Sequence, residues 1–231
     1  MNLPPEQLEV LFEDNHLLVV NKPAMLPTMG VAETEPSLLK VAKEYIRAKY
    51  DKPGNVYLGV VSRLDTPVTG VTILARTSKA AARLSAAFRD RQVQKSYWAV
   101  VEGVPYDAEA TLEHFLRKDE RHRKVHVTHA NAPDAQLARL SYHTLKQSKQ
   151  LALLEIELET GRKHQIRVQL AKLGHSIVGD LKYGSPLPFA SGIALHARRL
   201  VVEHPVLKEP IEFIAPLPAS WRFDRRVRDL L

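Results

Sequence analysis

Residues 151–173 read LALLEIELETGRKHQIRVQLAKL, and this stretch decides how the chain folds. Leu154, Ile156 and Leu158 alternate with Glu155, Glu157 and Glu159, the period of a strand with one apolar and one wet face. Thr160-Gly161 then turns the chain. From about Lys163 to Leu173 the period becomes helical, with Ile166, Leu170 and Leu173 directed inward and Gly174 as the stop.

Working outward, the same grammar recurs. Leu8–Phe12 and Leu17–Asn21 are β-rich runs around Asp14-Asn15, a hairpin signal. Leu38–Tyr50 is expected as a helix, with Leu39, Ala42, Ile46 and Tyr50 near one face. Val71–Ala75 reads as a buried strand. Thr77 or Ser78 caps a helix running to about Arg89, with Ala81, Leu84 and Phe88 inward. Ser96–Glu102 and Leu137–Leu145 read as strands. Strands outnumber helices and hairpins outnumber crossovers, so the fold class is α+β around a mixed, largely antiparallel sheet flanked by helices and loops. Prolines fall in clusters that punctuate loops, and no repeat interrupts the chain. One domain over residues 1–231 is expected, with short tails at 1–7 and 219–231.

The chain has 231 residues, with 33 Lys and Arg against 26 Asp and Glu, a formal charge of +7. That balance favours a polyanionic partner, nucleic acid first. The chain has no cysteines, which excludes disulfides, thiolate metal sites and cysteine nucleophiles and suits a cytoplasmic protein. No apolar run approaches the ~18 residues of a membrane span, and the acidic start does not resemble a signal peptide.

Two segments carry chemistry. In Val61-Ser62-Arg63-Leu64-Asp65-Thr66-Pro67-Val68-Thr69-Gly70, an acid lies on a loop that Pro67 and Gly70 force ahead of a strand. Taken alone, the spacing equally describes a surface Arg–Asp pair beside a turn. In Glu159-Thr160-Gly161-Arg162-Lys163-His164-Gln165-Ile166-Arg167, cations gather where a strand meets a helix N-terminus, a place that favours anions. A solvated first turn gives the same pattern. Together, one loop offers an acid and the other offers cations to pair with it.

These residues carry a resemblance. Arg63-Leu64-Asp65 followed by Thr69-Gly70 resembles the catalytic loop of the RluA-type pseudouridine synthases. Lys95–Gly103 (KSYWAVVEG) is similar to the family's next strand, and Thr160–Arg167 to its third block. Gly174, Gly179–Gly184 (GDLKYG), Leu195-His196-Ala197, His204-Pro205 and Asn21-Lys22-Pro23 match further landmarks, in family order across residues 8–218. The resemblance implies an RNA-modifying isomerase without cofactor or metal, and a sheet of the pseudouridine synthase type. A uridine in rRNA or tRNA would lose its N1–C1′ bond, rotate and rejoin through C5. Asp65 would be the catalytic carboxylate, attacking C1′ or removing the C2′ proton. Arg167 would be the cation that holds it ionised. Tyr97 would pack on the base and help remove the C5 proton. Arg63 would take the place of the extruded nucleotide. Arg162, Lys163, His164 and Gln165 would contact the substrate, and Leu195 would form an apolar wall under the uracil. The resemblance further implies an RNA stem-loop partner, no membrane, and a monomer.

The chain departs from the family pattern at Ser62, where His is usual, at Val68 in place of a hydroxyl residue, and at Ala24 after Lys22-Pro23. No N-terminal RNA-binding domain is expected, and target selection is then expected to rest on the catalytic domain. The segment Arg117–His129 (RKDERHRKVHVTH) carries five Lys or Arg and three His, and as a hairpin or loop it would reach RNA phosphates. His122, His126 and His129 are poor metal ligands amid those cations, with no carboxylate placed to help. A non-catalytic RNA-binding relative is the alternative function, but binding alone has no use for Asp65. A glycoside hydrolase would need a second carboxyl partner, which the motifs do not supply.

Overall fold

The computed structural model describes residues 3–231. In chain order its elements are β1 (Val10–Glu13), β2 (Leu17–Lys22), α1 (Leu38–Tyr50), β3 (Gly59–Val60), β4 (Thr69–Ala75), α2 (Ser78–Arg89), β5 (Gln94–Glu102), β6 (Glu109–Asp119), β7 (Lys124–Thr128) and β8 (Gln136–Gln147). There follow β9 (Leu151–Leu158), α3 (Gln165–Leu173), β10 (Leu195–Glu203), β11 (Pro210–Ile214), α4 (Ser220–Phe223) and α5 (Arg225–Arg228). The fold is α+β with largely antiparallel strands. Two compact units divide it: the chain up to Lys95 with Ala197–Leu217, and Ser96–His196 with Pro218–Leu231.

In the first unit β2 lies between β1 and β4, antiparallel to both, in a register that sets Leu17 opposite Ala75 and Lys22 opposite Gly70. Every residue of β2 and β4 is buried, so both faces are covered, and Leu17–Val20 accordingly reads as an unbroken apolar run. Asp14 closes the β1–β2 turn: its Oδ1 accepts the backbone N–H groups of His16 and Leu17 at 2.7 and 2.6 Å. Its Oδ2 meets Nε2 of the buried His204 at 2.8 Å, while Nδ1 of that ring accepts N–H from Val206 and Leu207. Two N–H donors on Nδ1 fix the ring proton on Nε2, facing Asp14. The His204-Pro205 landmark thus ties a loop of one hairpin to the turn of another.

Ser37 and Thr77 cap α1 and α2, accepting N–H from Lys40 and Ala80. The buried face of α1 is Leu38, Val41, Ala42 and Ile46, packed on Leu18, Val20, Leu58 and Leu74. Each of these side chains other than Ala42 contributes roughly 1.5–3 kcal/mol on burial. The helix is rotated from the expected face: Tyr50 is exposed and its hydroxyl donates to Glu13, which also accepts from Tyr45 and Lys49. Polar ends on two tyrosines drew that edge toward a carboxylate. Gly70 has a φ of 118°, and a Cβ there would stand 2.3–2.8 Å from the Ala197 backbone, so β4 and β10 approach only because the residue is glycine.

The second unit is an antiparallel run, β5-β9-β8-β6-β7. Glu157 lies opposite Ser96 and Ser141 on its wet face, while Ile156 lies opposite Tyr97 and Tyr142. Helix α3 packs Val168 against Leu116, Val125 and Ala138. Residues Gln165 to Leu170 are all buried, and Gly174 caps the helix at φ 93°. Leu173, expected inward, is exposed because the packed stretch ends with Leu170. Residues 219–231, expected as a tail, carry α4 and α5, and Trp221, Val227 and Leu230 of this segment are buried. The Trp221 ring meets Phe189 and His196 edge-on at 6.1 Å.

Candidate active site

The acid-bearing loop spans residues 61–68, between β3 and β4. Asp65 is half-buried and Arg63 is exposed. The Asp65 carbonyl accepts the Val68 N–H at 3.0 Å, closing a turn over Thr66 and Pro67. Two side chains reach this loop, one from the end of β2 and one from the segment after it. Thr28 Oγ1 donates to the Leu64 carbonyl at 3.0 Å and accepts the Leu64 N–H at 3.2 Å. Lys22 Nζ donates to the carbonyls of Pro23 and Leu26, both at 2.8 Å, and of Thr66 at 3.3 Å. Lys22 is fully buried, and that burial pulls its pKa from 10.5 down to about 7, with the Asp65 charge acting in the opposite direction.

The other expected residues belong to the second unit. Tyr97 is half-buried on β5. Leu195 is buried at the start of β10. The β9–α3 turn is built around Gln165, whose Oε1 accepts from the Thr160 hydroxyl at 2.8 Å and the Arg162 N–H at 2.9 Å. Its Nε2 donates to the Arg139 carbonyl at 3.1 Å. Gln165 therefore closes the turn, with its amide directed into the protein. Arg162 Nε donates to the Leu137 carbonyl, and Lys163 is exposed. His164 has a φ of 54°, and its Nδ1 lies 2.7 Å from the Tyr183 hydroxyl.

Arg167 is buried, although a solvated first turn would have left it in water. Its Nε and Nη2 donate to Asp180 Oδ2 and Oδ1 at 2.7 and 2.8 Å. Its guanidinium carbon lies 5.0 Å from the centroid of the Tyr183 ring. The fork and the ring fix the guanidinium plane. Sequence reasoning placed Asp180 and Tyr183 only within the landmark run Gly179–Gly184, with no role for either side chain. Thr28 carried no signal.

The segment 117–129 forms the β6–β7 hairpin, with Arg117, Arg121 and Arg123 exposed. Here the expectation that no carboxylate helps its histidines is corrected. Asp119 Oδ2 lies 2.7 Å from His122 Nδ1 and 3.6 Å from His126 Nε2, because antiparallel pairing folds the strand ends together. Asp119 Oδ1 accepts the His122 N–H, and these bonds hold the acid at about 2. Among the described residues no cluster of three or more His, Cys, Asp or Glu is arranged to hold a metal.

A sequence profile of the RNA pseudouridylate synthase family matches residues 16–172. The chain is 33% identical to an uncharacterized RNA pseudouridine synthase of Bacillus subtilis, YhcT, over 94% of this chain and 70% of the relative. It is 32% identical to ribosomal large subunit pseudouridine synthase D of Zymomonas mobilis, over 93% of this chain and 71% of the relative. Among solved structures, human RNA pseudouridylate synthase domain containing 4 superposes with a TM-score of 0.78 at 28% identity, covering 96% of this chain and 92% of that one.

The antiparallel fold and the ordered motifs thus define an isomerase acting on RNA. The chain belongs to the RNA pseudouridylate synthase family, in its RluA-type branch. Among the described residues no helix is long and apolar enough to cross a membrane.

Proposed function

We propose that this protein isomerises a specific uridine in ribosomal RNA to pseudouridine, with Asp65 as the catalytic carboxylate. The observation that carries the reading is the Arg63-Leu64-Asp65 signature on a loop whose backbone is tied down on both sides of the acid. A pre-set carboxylate is what the chemistry demands. The N1–C1′ bond breaks, the uracil turns, C5 bonds to C1′, the C5 proton leaves and N1 takes one up. No electron is gained or lost. Asp65 acts at the sugar, either on C1′ or on the C2′ proton. Tyr97 packs on the uracil and helps remove the C5 proton, and Arg167 balances the charge of the acid. Arg63 fills the gap left by the extruded nucleotide, whose unstacking costs a few kcal/mol. Lys163 and the basic hairpin meet phosphates. Ribosomal RNA is favoured over transfer RNA by the ribosomal relative.

The deciding assay measures tritium released from 5-tritiated bulk RNA of cells that lack the gene. Wild-type protein is expected to release it, and Asp65→Asn to release none while keeping its melting temperature. Salt-sensitive RNA binding with no release by the wild type would favour a non-catalytic RNA-binding role instead.

A further inference from the structure

We infer that Lys22 and Thr28 are positioning residues for the isomerisation, a two-point clamp on the backbone at either side of Asp65. The inference rests on the reading of Asp65 as the reacting carboxylate.

The geometry is reciprocal around one residue. Thr28 uses both functions of its hydroxyl on Leu64, donating to the carbonyl and accepting the N–H. That mimics a strand neighbour and leaves the Leu64 peptide groups little room to rotate. On the other side Lys22 reaches the Thr66 carbonyl with one of its three ammonium protons. The remaining two bind Pro23 and Leu26, within the short segment that ends at Thr28. Asp65 itself is closed onto Val68 through its own carbonyl. Leu64, Asp65 and Thr66 are therefore each held by a backbone bond, which fixes the direction in which the Asp65 side chain leaves the chain.

The anchor is rigid. Lys22 ends the fully buried β2, and Thr28 is also buried. Between them Met25 adopts a φ of 61°, uncommon for a residue with a side chain, so that the segment curls around the ammonium. A buried ammonium is costly, and filling this site with an apolar side chain would be cheaper. What an apolar side chain lacks is the means to hold three carbonyls from two loops. The proton on Lys22 that reaches Thr66 matters most where displacing a reacting group by about 1 Å slows a reaction by about a hundredfold.

The test uses full-length protein and the tritium-release assay at pH 6, where Lys22 keeps all three ammonium protons, with kcat, KM and melting temperature for Thr28→Val, Thr28→Ser, Lys22→Met and Asp65→Asn. Thr28→Val keeps the shape and removes the hydroxyl. It is expected to lower kcat about tenfold or more with KM within about twofold. Thr28→Ser should recover most of the loss, and Lys22→Met should again lower kcat with KM little changed. A Thr28→Val enzyme with wild-type kcat would overturn the clamp. So would a serine variant as slow as the valine one. If Lys22→Met fails to fold, the two Thr28 variants still decide. Asp65→Asn separates the two ideas. An active Asp65→Asn protein removes the catalytic reading, whereas an inactive one beside fully active Thr28→Val and Lys22→Met removes only the clamp.

Discussion

Arg167 holds Asp180 through two parallel hydrogen bonds of 2.7 and 2.8 Å, with both side chains almost wholly shielded from water. A fork-to-carboxylate pair in such a place does more than neutralise charge. It sets the plane and the height of the guanidinium on α3, and the Tyr183 ring at 5.0 Å backs it. Tyr183 in turn is anchored from the β6–β7 hairpin, since its hydroxyl accepts the Val125 N–H at 3.0 Å. The cation assigned to the reaction is thereby located by an acid and an aromatic ring in the segment 180–183.

Asp180→Asn keeps the volume and removes the charge. The guanidinium then loses the buried carboxylate that it grips through two nitrogens, and breaking such a pair typically costs about 3–5 kcal/mol. Chemical denaturation of the purified variant should show a loss of that size. Turnover should fall further than the fraction folded explains, because the guanidinium plane is no longer set. A variant as stable as the wild type would mean that the pair contributes no net stability, and unaltered turnover would detach Asp180 from the placing of Arg167.

The strands and helices of this chain were legible wherever period and burial agree. The apolar period marks α1, Thr77 announces α2, Gly174 ends α3, and the Leu–Glu alternation marks β9. The chemistry of single residues was less legible. Gln165 and Arg167 look like a wet first turn, because composition does not reveal that a helix N-terminus is roofed over. Tyr50 looked like core, because a helical stripe does not show that its hydroxyl has a carboxylate partner in β1. Asp119 was missed as a neighbour of His122 and His126 because that proximity exists only once the hairpin pairs. Thr28 and Lys22 lie 36 and 44 residues from their partners Leu64 and Thr66, and no local pattern records a bond to a distant backbone.

The buried Lys22 gives the protein an unusual response to alkali. In the unfolded chain its amine titrates near 10.5, and in the folded protein burial lowers that to about 7, against the pull of Asp65. Between those values the unfolded chain carries a proton that the folded one has released. Stability therefore rises with pH from about 7 toward 10.5, by on the order of 3–5 kcal/mol. Below pH 7 both states are protonated and the contribution is flat. Urea midpoints taken at pH 7, 8, 9 and 10 should show the wild type gaining on Lys22→Met along this window. Parallel curves for the two proteins would mean that Lys22 does not titrate there.

The β6–β7 hairpin presents Arg117, Arg121 and Arg123 to solvent. Exposed cations add little to stability, so their replacement by alanine should leave the melting temperature almost unchanged. RNA binding is a different matter. Each phosphate contact to a single strand releases counterions and contributes about 0.7 to the slope of log affinity against log salt. If all three arginines meet phosphates, the triple alanine variant loses about 2 from that slope and binds more weakly at low salt. Its turnover at saturating RNA should remain near wild type, because the hairpin grips the backbone rather than the reacting uridine. Filter binding of rRNA transcripts at several potassium chloride concentrations measures the slope directly. An unchanged slope would remove the hairpin from the RNA-binding surface and leave its cations as a solvated face.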